Sequence, residues 1–297
     1  MSVTTVQAGA LEVPAAGPAP ITEPGIHEMD NETYHSHRYA LSSSGARKLI
    51  EASPAHFRYE QDHPQPVKKV WDIGNAAHRL VLGEGPTLVR IDAEEWRTKA
   101  VKEEVAAVRA EGGIPLKPAE WEQVHEMADA LRAHPVASLL FDPEHGKAEQ
   151  SLFWRDAPTG VMRRARLDWL PNPRTGRLII PDYKTCVSAK PERLERVIDD
   201  LGYHQQDDTY RSACHALGIA DADAAFVFVC QEKTAPYVIT VIEVNATARR
   251  IGAARNRRAL ETFAHCTATG YWPGYSDDVV PVALPGWAET RDTLEYL

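Results

Sequence analysis

Two short segments of the chain place acids and bases at a spacing that could hold a metal ion and activate water. They are Arg164-Ala-Arg-Leu-Asp168 and Asp182-Tyr-Lys184. The first lies in Val161–Leu170 and the second in Leu178–Lys184, two stretches rich in apolar and β-favouring residues. A run of turn formers, 171–176, separates the two stretches, so the sequence predicts a β-hairpin.

Alternation along a strand brings the charged groups of each segment together. Arg164, Arg166 and Asp168 would share one face of the first strand, and Asp182 and Lys184 would share one face of the second. Two carboxylates and an ammonium on a rigid sheet can hold Mg²⁺ against a phosphodiester and activate a water beside it. Charges that alternate along a hairpin are also typical of its solvated face, and the charge pattern alone favours that interpretation.

A histidine on a predicted helix is the next candidate. Gly74-Asn-Ala-Ala-His78 lies in the helix predicted for Trp71 to Leu82, where small residues allow close approach to another backbone. The imidazole of His78 could complete the coordination of a divalent ion or orient its water. A lone helical histidine is, however, more often structural.

Three polar side chains elsewhere could reach the same site. Gln206 and Tyr210 are four residues apart on a predicted helix, share one face and could donate hydrogen bonds to phosphate oxygens. Glu149 opens the strand before the hairpin and could add a carboxylate at the sheet edge. Each of these residues would serve equally well as ordinary polar surface.

Composition bounds the class of protein. The 297 residues are 43% hydrophobic and 25% charged, as in a globular protein with one large or two small domains. No apolar run approaches the ~20 residues that span a membrane, and the N-terminus lacks a basic stretch followed by an apolar one, so we expect a cytoplasmic protein without membrane contact. The four cysteines form no Cys-x-x-Cys pair, which argues against a zinc site or a disulfide framework. Because the net charge is −9, a nucleic-acid site would need a local basic lining in a concavity.

The order of predicted elements indicates a mixed α/β or α+β fold. Residues 1–25 are predicted to be a disordered leader, 26–275 a single domain, and 276–297 an irregular tail. Helices are predicted from the Ser42 cap to Ile50, over 71–82, 101–110 and 118–140 with breaks near 112 and 135, over 191–199 and 203–217, and over 246–269. Strands are predicted over 148–155, the hairpin, 224–230 and 237–244, with the first three forming a meander.

The candidate residues occur in a recognisable order. Gly-x-x-x-His, an acidic residue, Arg-x-Asp, Asp-x-Lys and Gln-x-x-x-Tyr follow one another, and this order resembles the RecB-like branch of the PD-(D/E)XK nuclease superfamily. The run 39–50, Tyr-Ala-Leu-Ser-Ser-Ser-Gly-Ala-Arg-Lys-Leu-Ile, with Ser53-Pro-Ala-His-Phe57, is more specifically similar to the exonuclease VIII nuclease domain of phages and prophages. The resemblance covers about 26–275 and implies a restriction-endonuclease-like core, a central mixed sheet flanked by helices with a helical N-terminal part. The first aspartate of the motif is Asp168, preceded by Leu167 where the family has proline; Pro181 is incidental.

The resemblance implies a role for each matching residue. Asp168, Asp182 and the main-chain carbonyl of Tyr183 would bind the catalytic Mg²⁺, for which Mn²⁺ should substitute, and Lys184 would orient or deprotonate the attacking water. His78 would bind or position a second metal, and Gln206 and Tyr210 would hold the DNA backbone. Glu149 matches an acidic position of the family and would add a carboxylate to the metal site. From strand alternation we add Arg164 and Arg166 as phosphate contacts, and we add Arg47 as a clamp for a terminal 5′-phosphate.

The resemblance also implies an activity and partners. It implies an exonuclease that digests linear double-stranded DNA from its ends, in the 5′ to 3′ direction. Such an enzyme would serve phage-type homologous recombination in a bacterial host or phage-infected cell. It would act with a single-strand annealing recombinase and form a homo-oligomeric ring.

Two other functions remain open at this point. One is a different nuclease of the superfamily, either restriction-type or a CRISPR-associated adaptation nuclease; the latter usually holds an iron–sulfur cluster on cysteines near its C-terminus, where this chain has only Cys266. The other is a DNA-end-binding protein that has lost catalysis, although Asp168, Asp182 and Lys184 are all present.

Overall fold

The computed structural model describes residues 19–63, 73–173, 176–221 and 223–297. Its strands are β1 Gly25–His27, β2 Leu88–Arg90, β3 Ile114–Leu116, β4 Gly146–Arg155, β5 Met162–Pro171, β6 Ile179–Cys186, β7 Ala225–Glu232 and β8 Ile239–Ile242. Its helices are α1 Asn31–Ser36, α2 Ser43–Glu51, α3 Pro54–Asp62, α4 Ile73–Leu82, α5 Lys99–Ala110, α6 Pro118–Ala133, α7 Ala137–Leu140, α8 Pro191–Asp200, α9 Tyr203–Ala216, α10 Ala246–Thr269 and α11 Gly286–Tyr296. No described helix is long and apolar enough to cross a membrane.

The strands form two three-stranded sheets and a small parallel pair. One sheet has the antiparallel order β1-β4-β5, and the other has the order β6-β7-β8, in which β6 and β7 are parallel. Strands β6 and β7 are joined by a crossover through α8 and α9, as a parallel connection requires. The mixed α/β fold predicted from the order of elements is confirmed.

The predicted hairpin between β5 and β6, and with it the meander, is wrong. The hairpin is instead β4-β5, paired from Arg155↔Met162 to Gly146↔Pro171, and β6 pairs with β7. The two strands of the predicted hairpin lie side by side without a shared backbone ladder among the described residues. At their junction the Tyr183 N–H donates to the Asp168 carboxylate (2.8 Å), where a ladder would supply a carbonyl.

Most predicted helices are confirmed, and their caps explain where they begin. The Ser42 hydroxyl accepts the Gly45 N–H and starts α2. The predicted break at Pro135 separates α6 from α7. Trp71 and Asp72 of the predicted 71–82 helix lie outside the described residues, as do residues 1–18 of the predicted leader.

Two regions that were not predicted to be helical contain helices. Helix α3 is missing from the sequence prediction, although Ser53-Pro54 is a capping serine followed by proline in the first turn. The tail predicted to be irregular contains α11, because Gly286–Tyr296 has no internal proline and is rich in residues that a helix tolerates.

Apolar clusters cover both faces of the strands. Leu152, Leu167 and Phe228 pack under α8, α9 and the start of α10. Trp169 and Tyr183 pack against α4, α6 and α7 on the other side. The result is a strand layer between two helical layers, with the junction of β5 and β6 near its middle.

Helix α9 is held against α10 at unusually close range. A side chain at Gly252 would overlap the backbone carbonyl of His204, so only glycine permits this approach. One turn further along α10, the buried Asn256 amide donates to the Gln205 carbonyl (2.8 Å) and the Thr209 hydroxyl (3.0 Å). These contacts fix the position of α9 along its axis.

The turn between β4 and β5 is tied to α10 by a buried carboxylate. Both oxygens of Asp156 accept from the Arg257 guanidinium at 2.8 Å, and Oδ2 also accepts from the Thr159 hydroxyl. Burial raises the pKa of Asp156, but the bonds from Arg257 and Thr159 outweigh it and lower the pKa to about 2.

We predict that Asp156→Asn lowers the free energy of unfolding by about 1–2 kcal/mol at pH 7. The loss is smaller than the pKa shift alone implies, because Arg257 is partly exposed and solvent screens its ion pair with Asp156. The folded-state pKa lies below the ordinary value of 3.8. The stabilisation is therefore complete above that value and is lost as pH falls towards 2. Urea denaturation at pH 7, 4 and 3 measures this. Asp129→Asn, which removes an exposed i,i+3 ion pair with Arg132, is the control and should change little. A difference between wild type and Asp156→Asn that does not shrink with falling pH would contradict the prediction.

Candidate active site

The two aspartates of the motif and the lysine meet where β5 and β6 lie side by side. Asp182 is 1% exposed; its Oδ1 accepts from the Gln206 amide at 2.8 Å, and its Oδ2 lies 2.5 Å from the Lys184 Nζ. Asp168 accepts the Tyr183 N–H. Each strand thus presents one carboxylate to the junction.

The charges in this cluster shift one another's pKa. Burial, followed by the nearby Asp168 carboxylate, raises the pKa of Asp182 to about 7 despite the opposing Lys184. Burial also raises the pKa of Asp168, but His78, Lys184 and the Tyr183 N–H outweigh it and the net direction is down. Burial lowers the pKa of Lys184, yet the two carboxylates outweigh it and raise it. Two acids this close are held ionised only by neighbouring cations.

His78 lies beside these acids, as the sequence predicted. Its Nε2 is 3.3 Å from Asp168 Oδ2, and its Nδ1 is 3.7 Å from Glu149 Oε1. Burial lowers the pKa of His78, but the two carboxylates raise it by more. The helix α4 brings this histidine to the site because Ala76 and Ala77 are fully buried and allow close packing.

Glu149 is placed by an unusual backbone conformation. It has φ of 55°, a left-handed value that non-glycine residues seldom adopt, and the β4-β5 ladder is interrupted at Glu149 and Asp168. Such strain tends to cluster at functional sites. The carboxylate accepts from Arg166 Nε at 2.5 Å, and Arg166 also donates to the Ser151 hydroxyl. Arg166 therefore occupies the strand face on which it was predicted.

Gln206 and Tyr210 lie on the face of α9 that looks towards the acids. The Gln206 amide contacts Asp182, and Tyr210 is held edge-on against Phe226 with ring centroids 5.3 Å apart. Burial raises the pKa of Tyr210 well above its ordinary value, so it remains a neutral hydroxyl. Tyr203 begins the same helix and places its ring 5.8 Å from the Lys184 ammonium, a neighbour that sequence reasoning missed.

These residues surround a cleft of about 370 Å³. Of the predicted site residues, those that line it are His78, Glu149, Arg166, Asp168, Gln206, Tyr210 and Arg47. Asp182 and Lys184 lie directly behind Asp168 and Gln206. The cleft is also lined by residues that sequence reasoning did not assign to the site: Asn31, Tyr34, His35, Ser42, Ser43, Ser44, Leu201 and Gly202. The three serines are recognisable in the sequence as the start of a helix. This pattern by itself predicts a helix cap and does not predict a place in the site.

The remaining two predicted arginines, Arg47 and Arg164, lie in different places. Arg47 is at the cleft, where its guanidinium donates to the Leu201 carbonyl and lies 3.6 Å from Glu51. Arg164 is buried and does not line the cleft; its guanidinium is 4.7 Å from the Tyr34 ring centroid and donates to the Tyr34 carbonyl. Arg164 thus supports Tyr34, which does line the cleft.

The donor set fits a cation that prefers oxygen ligands. Asp182 Oδ2 is buried and, apart from its ion pair with Lys184, has no hydrogen-bond partner among the described residues. Asp168 and the Tyr183 backbone lie next to it. Among the described residues, no group of three or more His, Cys, Asp or Glu side chains has the geometry of a metal site. Two carboxylates plus a backbone carbonyl are ligands that Mg²⁺ accepts while it keeps several waters.

Comparison with known proteins agrees with this geometry. A family model described as "PDDEXK-like domain of unknown function (DUF3799)" matches residues 42–281. The chain belongs to this family. The prediction of a PD-(D/E)XK domain is therefore confirmed, and membership of this nuclease-like class supports nuclease activity.

A solved structure shares the fold of this PDDEXK-like domain. The crystal structure of a protein from Eubacterium rectale described as a "putative exonuclease" superimposes with a TM-score of 0.58 at 12% identity, over 89% of this chain and 98% of that chain. At this identity the likeness shows the fold alone. The structure of SSO0001 aligns with a TM-score of 0.35 at 14% identity, over 82% of this chain and 79% of that chain, too low to support an argument. No curated protein matches the chain.

We predict that Mn²⁺ raises the melting temperature of the wild-type protein. At about 100 times its Kd the ion would stabilise the fold by about 2.7 kcal/mol. Asp168→Asn and Asp182→Asn should each lose most of this shift, because each removes an anionic ligand. Differential scanning fluorimetry with and without Mn²⁺ measures it. Asp129→Asn, on the surface of α6, is the matched control and should keep the full shift. A full shift in both site variants would place the ion elsewhere.

Proposed function

We propose that this PDDEXK-like domain is a Mg²⁺-dependent deoxyribonuclease that hydrolyses linear double-stranded DNA from its ends, in the 5′ to 3′ direction. The observation that carries the proposal is the convergence of Asp168, Asp182 and Lys184 at one cleft with His78, Gln206 and Tyr210. These six residues are among those that match the ordered motifs of the nuclease superfamily in the sequence.

Each residue of the site would have a separate role in the reaction. Asp168, Asp182 and the Tyr183 carbonyl would hold Mg²⁺, which when bound offsets phosphate charge and makes a water more acidic. The Lys184 ammonium, next to Asp182, would orient the attacking water and stabilise negative charge that develops on the phosphate. His78 would position a second ion or its water from the other side of Asp168.

The substrate would be held by groups that already point into the cleft. Arg166 is fixed by Glu149 and Ser151 and faces the cleft as a phosphate contact. Gln206 and Tyr210 can donate to phosphate oxygens from the rigid face of α9. These cations and donors form the local lining that a chain of net charge −9 needs to bind DNA.

The start of α2 at the cleft supports action at DNA ends. Ser42, Ser43, Ser44 and Arg47 close the cleft at the N-terminal end of α2, where unpaired N–H groups and the helix dipole favour an anion. A terminal 5′-phosphate held there would place the first phosphodiester near Asp168. Partnership with a single-strand annealing recombinase and assembly into a ring belong to the same proposal.

Labelled DNA tests the activity. Linear duplexes labelled at the 5′ or the 3′ end, and a covalently closed circle, would be incubated with the protein and Mg²⁺. We expect stepwise release of nucleotides from 5′ ends and no cleavage of the circle. Asp182→Asn and Lys184→Met should each lower kcat by at least about 10²-fold, since each removes a group acting where charge develops. Lys190→Met, an exposed lysine at the start of α8, is the control for Lys184 and should keep wild-type kcat.

Other outcomes would point to other functions. Cleavage of the closed circle would identify an endonuclease. Tight binding of ends without turnover in Mg²⁺ or Mn²⁺ would identify a protein that binds DNA ends and has no catalysis. Activity retained in Asp182→Asn would overturn the site assignment.

We predict that Arg47→Ala raises KM for a 5′-phosphorylated duplex about tenfold and changes KM for a 5′-hydroxyl duplex little, because the lost charge contacts only the terminal phosphate. Steady-state kinetics on the two duplexes measure this. The neighbouring Lys48 points to Glu60 of α3 and does not line the cleft, so Lys48→Ala is the matched control. Equal losses on both duplexes would show that Arg47 does not recognise the terminus.

A further inference from the structure

Arg164 is a buried cation that has no acidic partner among the described residues. It is 6% exposed, and burial lowers the pKa of its guanidinium. Its Nε is buried without a hydrogen-bond partner in the described part of the chain. A buried charge without a counter-ion is costly unless another group stabilises it. The contacts of Arg164 therefore indicate what this charge serves.

The guanidinium of Arg164 lies on Tyr34 of helix α1. Its central carbon is 4.7 Å from the ring centroid, within cation–π range, and one of its N–H groups donates to the Tyr34 carbonyl. The guanidinium carbon of Arg166 lies 5.9 Å from the same centroid, and Phe153 packs edge-on with ring centroids 6.3 Å apart. Two arginines and an aromatic ring thus fix the Tyr34 ring.

The hydroxyl of Tyr34 is available to a ligand. Tyr34 lines the cleft, and no side chain or backbone group of the described residues exchanges a hydrogen bond with its hydroxyl. Burial raises the pKa of Tyr34 to about 12, although Arg164 and Arg166 oppose it, so the phenol is protonated at neutral pH. Tyr210 is close by, because burial and then the Tyr34 phenol raise the pKa of Tyr210. Tyr34 therefore presents a neutral O–H donor beside a residue proposed to hold the DNA backbone.

The two arginines make this hydroxyl a stronger donor than an ordinary phenol. A cation next to an acid favours the ionised form of that acid, so the O–H bond of Tyr34 is polarised. Hydrogen bonds to ionised acceptors are roughly twice as strong as those between neutral groups. The acceptor that fits a polarised phenol beside Arg166 is therefore an anionic oxygen.

We propose that Tyr34 is a further substrate-contacting residue, whose hydroxyl donates to a non-bridging oxygen of the phosphate bound beside Arg166. Arg164 is the positioning residue that holds and polarises Tyr34. The proton stays on the phenol throughout, so Tyr34 is a hydrogen-bond donor and neither an acid nor a base. This inference rests on the proposed hydrolysis of DNA phosphodiesters, and it gives the buried charge of Arg164 a function.

Tyr34→Phe tests the contact, because it keeps the ring on both arginines and removes only the hydroxyl. We expect kcat on a linear duplex to fall at least about tenfold, since the lost donor acts where negative charge develops. KM should change less, because the other contacts to the duplex remain. The variant should keep the rise in melting temperature that Mn²⁺ produces, which separates it from variants that lose the ion. Tyr59→Phe, on α3 with a side chain that is 62% exposed and outside the cleft lining, is the matched control and should keep wild-type kcat.

A double-mutant cycle tests whether Arg164 acts through Tyr34. Arg164→Met keeps much of the buried volume and removes the charge, so kcat should fall about threefold or more. Adding Arg164→Met to Tyr34→Phe should cost nothing further, since the polarised hydroxyl is already absent. Losses that multiply would overturn the role of Arg164. Far-UV circular dichroism checks that each variant folds, and Tyr34→Phe alone decides the contact if Arg164→Met does not fold.

Binding of a deoxynucleoside 5′-monophosphate in Mg²⁺ separates this proposal from the proposed function. Calorimetry measures the phosphate contact without turnover, and Tyr34→Phe should raise Kd about tenfold, as loss of a hydrogen bond to a charged group does. A wild type that cleaves no DNA but shows this rise in Kd would overturn the proposed function and keep the contact. A wild type that cleaves DNA, with kcat and Kd both unchanged in Tyr34→Phe, would overturn the contact and keep the function.

Discussion

Two carboxylates at the junction of β5 and β6, a buried Asp182 and an Asp168 that lines the cleft, are the constraint on which the rest of this structure depends. They repel each other and are largely withdrawn from water, so each needs a fixed set of donors. Asp168 takes the Tyr183 N–H that would otherwise enter a strand ladder, and Asp182 takes Gln206 and Lys184. The junction between the two sheets is thus held by a carboxylate, and it is also the place where a cation would relieve the repulsion.

The surrounding elements fix these donors in place. Gln206 reaches Asp182 only because α9 is held by α10, through the close approach at Gly252 and the buried Asn256 amide. Glu149 reaches His78 from a strained backbone position within β4. Helix α10, which does not itself line the cleft, therefore helps to determine the geometry of the cleft. A site that stabilises developing charge requires rigidity of this kind.

Positive charge in the cleft reconciles an acidic chain with the anionic substrate proposed for it. Arg166 and Arg47 bring positive charge to the cleft of a chain whose net charge is −9. Focusing of potential in a concavity favours a bound polyanion end over non-specific coating of nucleic acid.

Local patterns in the sequence determined the helices with clear caps, the mixed α/β class and most of the residues that meet at the cleft. Capping, periodicity and each single motif depend on residues that are close together along the chain. Only the tertiary structure decided which strands pair. β5 joins β4 and β6 joins β7 because a strand selects its partner through contacts between residues far apart in sequence. It also decided that Arg164 packs under Tyr34 while Arg166 faces the cleft, although both share one strand face. The difference arises because Tyr34, far from Arg164 in the sequence, packs on Arg164 and helps to bury it. The alternation of side chains along a strand cannot predict such a contact.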